Sequence, residues 1–182
     1  MYLLLPAADS SNLARVDYSS LSEQSSMVLF IEKIENKQEI CGDAENPRDI
    51  NEWYGIMIDK DTGNVLEITW SWRNLGGKLS MEWLPPAVRK VCIPSNNFIG
   101  SADLSALPRS LRELNLSMNW CSGTVDLRTL PEKINIIRLN GNNFRVPLIC
   151  EAYPKSLSSF LSKKTVSLAP CVSKSCQHVW KF

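Results

Sequence analysis

The middle of this chain repeats one pattern of residues at a constant spacing of 23 residues. The first position of the pattern is occupied in turn by Val65, Val88, Leu111 and Ile134. A constant step of this length is typical of a solenoid, in which one supersecondary unit stacks on the next. A solenoid presents a long side wall rather than one enclosed pocket, so the pattern favours a binding surface over a catalytic cleft.

Other positions of the unit keep the same register. Position four is Ile68, Val91, Leu114 and Ile137, and position six is Trp70, Ile93, Leu116 and Leu139. Because side chains alternate along a strand, apolar residues at positions four and six predict a short strand in each copy and a parallel sheet across the copies. Position nine is Asn96, Asn119 and Asn142, with Arg73 in the first copy. These asparagines are predicted to turn the chain and to bond the backbone of neighbouring coils in a ladder of amides.

The sequence of the third unit resembles that of a known repeat family. Leu111-x-x-Leu114-x-Leu116-x-x-Asn119, followed by Ser-Gly-Thr at 122–124, is similar to the leucine-rich repeat, in the plant-type subclass with a second short strand. Residues 53–65 resemble the N-terminal cap of plant, protist and bacterial leucine-rich-repeat proteins. The Leu-Pro pair that recurs at 84–85, 107–108 and 130–131 looks most like protist members of the family. The resemblance covers about residues 50–147. It implies a short right-handed solenoid of the α/β type, with a parallel sheet, about four coils, a helical N-terminal cap and an irregular C-terminal cap. It says little about ligand, because a fold does not fix a function.

The chain divides into four predicted parts. Residues 1–20 are expected to be an extended arm, 21–64 the N-terminal cap, 65–147 the repeats, and 148–182 the C-terminal cap and tail. Apolar spacing predicts a helix over 22–38, capped by Ser22 or by the serines at 25 and 26, and then a polar loop over 41–52. A second short helix is predicted around 155–161, closing the open end of the last coil.

Net charge and hydropathy limit the classes of partner and the locations expected of this chain. The chain has 20 basic and 19 acidic residues and a formal net charge of +1, so no strong field attracts nucleic acid or an anionic membrane. Its longest apolar runs, Tyr2–Leu5 and Met27–Ile31, are far too short to span a membrane. Tyr2–Leu5 is also a poor secretion signal, since no basic residue precedes it. An intracellular location is therefore predicted, with secretion as the alternative.

Six cysteines bear on the compartment. Cys121 takes a core position of the repeat and is predicted to be a buried thiol, whereas Cys92 is predicted to be partly exposed. Cys41 has no evident partner, which favours a reducing compartment. In the tail, free thiols, a bridge from Cys171 to Cys176 or Cys150, and zinc held by these three cysteines with His178 all stay open, but no metal or cofactor is predicted.

No catalytic constellation stands out. Gly76-Gly77-Lys78 lacks the serine or threonine of a phosphate loop, and the single histidine lies four residues from the end of the sequence. Asn115-Leu116-Ser117 has the form of a glycosylation sequon, but the repeat pattern already accounts for it. We therefore expect no enzyme activity.

The outward positions of the sheet carry the best functional clue. Positions three, five, seven and eight are expected to face away from the core, and most of them hold small residues. The candidate partner-binding residues are Trp72, Lys90, Met118, Trp120 and Arg138. Large apolar groups on an exposed wall favour docking, and the two cations, balanced by Glu67 and Glu113, suit a protein better than a polyanion. The alternatives are that the terminal cap covers these residues or that Trp120 packs into the turn.

Two functions remain open from the sequence. The first is a non-catalytic protein–protein interaction module, such as a scaffold or an accessory subunit of a larger assembly. The alternative is a secreted or surface recognition module that binds a peptide or glycan on the concave face.

Overall fold

The computed structural model describes residues 21–126 and 129–145, together with the backbone of residues 165–167. The predicted arm at 1–20, the predicted helix around 155–161, and the tail residues Cys150, Cys171, Cys176 and His178 lie outside the described residues.

Two sheets run side by side along the coils. The first has the strand order β11-β9-β7-β5-β3-β2 and is parallel, except that β2 runs antiparallel to β3. Its strands are β2 (Ile56–Ile58), β3 (Val65–Thr69), β5 (Lys90–Cys92), β7 (Glu113–Asn115), β9 (Ile136–Arg138) and β11 (Thr165–Ser167). The second sheet has the order β1-β4-β6-β8-β10 and confirms the predicted second strand of each unit. Its strands are β1 (Ile34–Glu35), β4 (Gly76–Gly77), β6 (Asn97–Ser101), β8 (Trp120–Thr124) and β10 (Asn143–Arg145).

The repeat register predicted from sequence is the register of the first sheet. Val91 pairs with Leu114, and Leu114 pairs with Ile137, each one unit along the chain. Leu111, Leu114 and Leu116 are fully buried. The core therefore lies inside the stacked coils, which close on their third side through short 3-10 turns at Met81–Trp83 and Leu104–Ala106.

A ladder of asparagines at position nine links the coils, as predicted. The Nδ2 of Asn119 donates to the carbonyl of Ile93 in the preceding coil at 3.1 Å, and that of Asn142 donates to the carbonyl of Leu116 at 2.7 Å. The Oδ1 of Asn119 in turn accepts from the backbone N–H of Phe98. Each amide thus satisfies backbone groups that the turn leaves without a strand partner.

The N-terminal cap differs from its sequence prediction. Helix α1 spans only Glu23–Ile31, with Ser22 as its N-cap, and is followed by β1 and by a short helix α2 at Gln38–Cys41. The helix predicted over 22–38 is therefore too long. The chain leaves helical geometry because the carbonyl of Lys33 accepts from Lys78 of the first coil at 3.0 Å. That contact directs the next residues into an antiparallel pair with β4.

The predicted polar loop at 41–52 is also only partly a loop. Ile50 is buried and begins a 3-10 turn at Ile50–Glu52. Next to it, Trp53 is 4% exposed, and its indole N–H donates to the carbonyl of Arg48 at 2.8 Å. The cap thus has an apolar interior continuous with the first coil. No helix among the described residues is long and apolar enough to cross a membrane.

Candidate docking surface

The two candidate cations of the first sheet share one carboxylate. Lys90 Nζ lies 3.6 Å from Glu113 Oε2, and Arg138 Nη1 lies 3.1 Å from Glu113 Oε1. The three residues come from adjacent strands β5, β7 and β9, so the sheet register brings them together. Lys90, Glu113 and Arg138 therefore form one compact group with a net charge of +1.

Asn115 and Ser117 hold each other rather than face outward freely. Asn115 Oδ1 accepts from the Ser117 backbone N–H at 3.0 Å and from its hydroxyl at 2.7 Å. Ser117 is only 9% exposed because its hydroxyl donates to Asn115 Oδ1, two residues earlier. This position therefore offers little surface to a partner.

The described thiols behave as their positions predict. Cys92 is half-buried, whereas Cys41 and Cys121 are buried, and all three are free. Burial raises the pKa of the Cys121 thiol to about 12 and also raises the pKa of Cys41. Neither buried thiol is a nucleophile near neutral pH, because the thiolate is the reactive form.

In all four coils the residue at position eight has a left-handed backbone conformation, and these residues form a row across the coils. Trp72, Ser95, Met118 and Gly141 have φ values of 57°, 56°, 56° and 68°. The N–H of Trp72 donates to the carbonyl of Pro94, and that of Met118 donates to Asn140. This conformation suits glycine and asparagine and is strained for bulky side chains, typically by about 1–2 kcal/mol each. The sequence therefore holds Trp72 and Met118 at positions where glycine or asparagine would be less strained.

These large side chains are exposed. Trp72 is 80%, Met118 59% and Trp120 63% exposed. Trp120 does not pack into the turn, so that alternative is wrong. The other alternative, that the C-terminal cap covers this row, concerns residues outside those that the structure describes.

Met118 and Trp120 line one open hollow of about 300 Å³. Its other lining residues are Asn119, Gly141, Asn142 and Asn143. Trp120 interrupts a row of exposed asparagines at position ten, in which Asn97 Nδ2 donates to Asn74 Oδ1 at 2.8 Å. Ile99, which pairs with Trp120 across β6 and β8, adds an apolar side chain that is 48% exposed.

Trp72 lies in a separate hollow of about 330 Å³. Its other lining residues are Asn36, Gln38, Glu39, Arg73 and Asn74. Asn36 Nδ2 donates to the carbonyl of Asn74 at 2.8 Å, and the Arg73 guanidinium stacks 3.4 Å from the centroid of the Tyr54 ring. The sequence did not predict this hollow, because half of its lining comes from a cap segment that has no repeat register.

Comparison with known proteins bears on the fold. No model of a known protein family matches the sequence, and no curated protein matches it significantly. Solved structures do match. One chain of the BIR3–SERK2 complex from Arabidopsis thaliana superposes with a TM-score of 0.58 at 15% identity, covering 79% of each chain. The ectodomain of the receptor kinase GASSHO1/SCHENGEN3 from Arabidopsis thaliana gives 0.60 at 18% identity, over 81% of this chain and 21% of that one. With the two-sheet solenoid, these matches decide the fold. The chain is a leucine-rich-repeat solenoid.

Both hollows lie along the coils, one at Trp72 and the other at Met118 and Trp120. This chain spans about a fifth of the length of the GASSHO1 ectodomain it matches. Among the described residues, no group of three or more His, Cys, Asp or Glu side chains could hold a metal ion. The described surface therefore offers apolar contacts, amides and one ion group, which are the elements of a recognition surface.

Proposed function

We propose that this leucine-rich-repeat chain is a non-catalytic protein-interaction module that docks its partner on Trp72, Lys90, Met118, Trp120 and Arg138. These five residues are called the docking wall below. The observation that carries the proposal is the exposure of Trp72, at 80%, on a strained backbone that would favour glycine. Backbone strain that stability does not require is most often retained at functional sites.

The composition of the docking wall supports a protein or peptide partner. Tryptophan, methionine and arginine are enriched in interfaces, and a few large side chains dominate their binding energy. Lys90 and Arg138, both paired with Glu113, add charged groups to the docking wall, and such groups are typical of the polar rim of an interface.

Structural neighbours support the same class of function. Three of them were solved as complexes: BIR3 with SERK2, GASSHO1 with CASPARIAN STRIP INTEGRITY FACTOR 2, and PEPR1 with AtPEP1. The likeness is one of fold, so the partner of this chain is proposed from its own surface. An accessory subunit of a multi-subunit assembly fits a short wall that has little curvature to enclose a ligand.

A secreted or surface recognition module is the second candidate, because GASSHO1 is matched through its receptor ectodomain. The free thiols of Cys41, Cys92 and Cys121 favour a reducing compartment and the intracellular proposal. Intact mass separates the intracellular proposal from the secreted one. The chain is purified without reducing agent, and its mass is measured before and after alkylation under denaturing conditions. Six alkylated thiols support the intracellular proposal, whereas paired cysteines support secretion.

Partner capture tests the proposed function. The tagged chain is used to capture proteins from native extract, the captured protein is identified, and binding is repeated with that protein purified. Trp72→Ala combined with Met118→Ala should abolish binding and leave the melting temperature within a few degrees. Arg109→Ala, an exposed cation on the return segment, is the control and should bind normally. Normal binding by the double variant, with loss in Arg109→Ala, would place the partner on the other face.

A further inference from the structure

We propose that the docking wall binds a proline-rich segment in the polyproline II conformation, laid across the coils. One ligand residue contacts Trp72, and the residue three positions further on contacts Met118 and Trp120. This inference rests on the proposed function, which it deepens by naming the class of ligand.

The spacing of the docking wall is the first argument. Trp72 and Met118 occupy the same repeat position two coils apart, with Ser95 between them. Adjacent parallel strands are about 4.8 Å apart, which puts the two backbones about 10 Å apart. A polyproline II helix rises about 3.1 Å per residue with three residues per turn, so residues three apart point the same way at about 9.3 Å. A β-strand turns residues three apart to opposite faces and does not match.

The alternation of large and small side chains along position eight is the second argument. Trp72 and Met118 form two ridges, and the small side chain of Ser95 lies half-buried between them. Beyond Met118 the row continues with Gly141, where an added Cβ would lie only 2.6 Å from Met118 Sδ. The row therefore alternates large and small groups, and Trp72 supplies an aromatic side chain of the kind on which proline-rich ligands dock.

Hydrogen-bond donors provide the third argument. A polyproline II backbone makes no internal hydrogen bonds, so its carbonyls need donors from the receptor. The indole N–H groups of Trp53 and Trp70 donate to backbone carbonyls inside the fold. Those of Trp72 and Trp120 have no hydrogen-bond partner among the described residues, and both rings are exposed. Two indole donors thus stand at the two contact points and are available to ligand carbonyls.

Charge beside Trp72 sets the expected orientation of the ligand. The hollow at Trp72 contains the exposed carboxylate of Glu39, and its one cation, Arg73, is stacked on Tyr54. A basic ligand residue next to the Trp72 contact would meet Glu39. The ligand is therefore a proline-rich segment with an arginine or lysine at the Trp72 end.

Peptide selection tests the inference without assuming a sequence. The complete chain is immobilised and a displayed library of random peptides is selected on it. Peptides that also bind the Trp72→Ala, Met118→Ala double variant are removed. The expected result is enrichment of peptides with prolines three apart and a basic residue at one end. Enrichment of peptides that alternate with period two, or that have helical spacing, overturns the polyproline II proposal but supports the docking wall. No enrichment, or enrichment only of peptides that the double variant also binds, overturns both.

A matched peptide pair gives the quantitative check. An enriched peptide is compared with a version of the same composition in which one proline is moved by one position. Trp72→Ala and the moved proline should each weaken binding about tenfold or more, because each removes one of two main contacts. Glu39→Gln should weaken binding only of peptides that keep the basic end. Equal affinity of the two peptides would overturn the proposed spacing.

Discussion

The side-chain Nδ2 of Asn96 donates a hydrogen bond to the backbone carbonyl of Trp70, 2.6 Å away in the preceding coil. Its Oδ1 accepts from the backbone N–H groups of Arg73 and Leu75 at 3.0 and 3.2 Å. Asn96 is buried, so water does not reach these groups. One side chain thus ties the turn of the first coil to the second.

Asn96→Ala should destabilise the chain by about 2–4 kcal/mol, because several buried backbone groups lose their partner at once. Urea unfolding followed by circular dichroism measures the change. Asn97→Ala is the matched control, since Asn97 is exposed and makes a single amide contact to Asn74. It should cost well under about 1 kcal/mol. Equal losses for the two variants would show that the amide ladder does not stabilise the fold.

Leu114→Asp should unfold the domain. Leu114 is fully buried between Val91 and Ile137, and an unpaired charge there costs several kcal/mol against a typical total of about 5–15. The neighbouring Asn115→Asp should be far milder, because the new carboxylate keeps the acceptor that Ser117 uses. A folded Leu114→Asp variant with an unchanged melting temperature would contradict the register.

Much of the solenoid could be predicted from the sequence because its register repeats. Four copies fix which side chains at positions four and six share a direction, and the structure buries Leu114 and Leu116 accordingly. The pairing of Lys90 and Arg138 with Glu113 was also within reach, since all three stand at outward positions of adjacent strands. What the sequence lacked was the distance between these charges.

The cap could not be predicted in the same way. Its residues appear once, so no second copy indicates where α1 ends or that Ile34–Glu35 pairs with β4. That pairing depends on Lys33 meeting Lys78, a contact between residues far apart in sequence. The hollow at Trp72 inherits this difficulty, because Asn36, Gln38 and Glu39 reach it only through that pairing.

Two tryptophans should respond in opposite ways to truncation. Trp53→Ala should cost roughly 3–5 kcal/mol, because the ring is 4% exposed and its indole N–H is bonded inside the cap. Trp120→Ala should change stability by less than about 1 kcal/mol, because its ring is 63% exposed. Thermal and urea unfolding of both variants provide the comparison. A large loss in Trp120→Ala would mean that another part of the chain covers the ring.

The decline of the unfolding free energy at alkaline pH should depend on the buried thiol of Cys121. Burial raises its pKa from 9.0 to about 12 in the folded chain, so the folded state keeps the proton after the unfolded state has lost it. The stabilisation is complete below about pH 9 and is lost as the pH rises towards 12, by up to about 1.4 kcal/mol per unit. Unfolding free energies across this window are compared with those of Cys121→Ala, in which the other titrating groups are unchanged. The alanine variant should show the shallower decline, and identical slopes would contradict the burial of the thiol.

The indole N–H signals of the tryptophans test the docking wall most directly. A proton–nitrogen correlation spectrum of the labelled chain is recorded while a peptide selected on the protein is added, with each indole assigned by single Trp→Phe variants. The docking wall predicts that the signals of Trp72 and Trp120 shift or broaden, because both N–H groups are exposed on that surface. Those of Trp53 and Trp70 should stay in place, because they are bonded to the carbonyls of Arg48 and Tyr54 inside the fold. Saturable binding that leaves the Trp72 and Trp120 signals unmoved would contradict the docking wall.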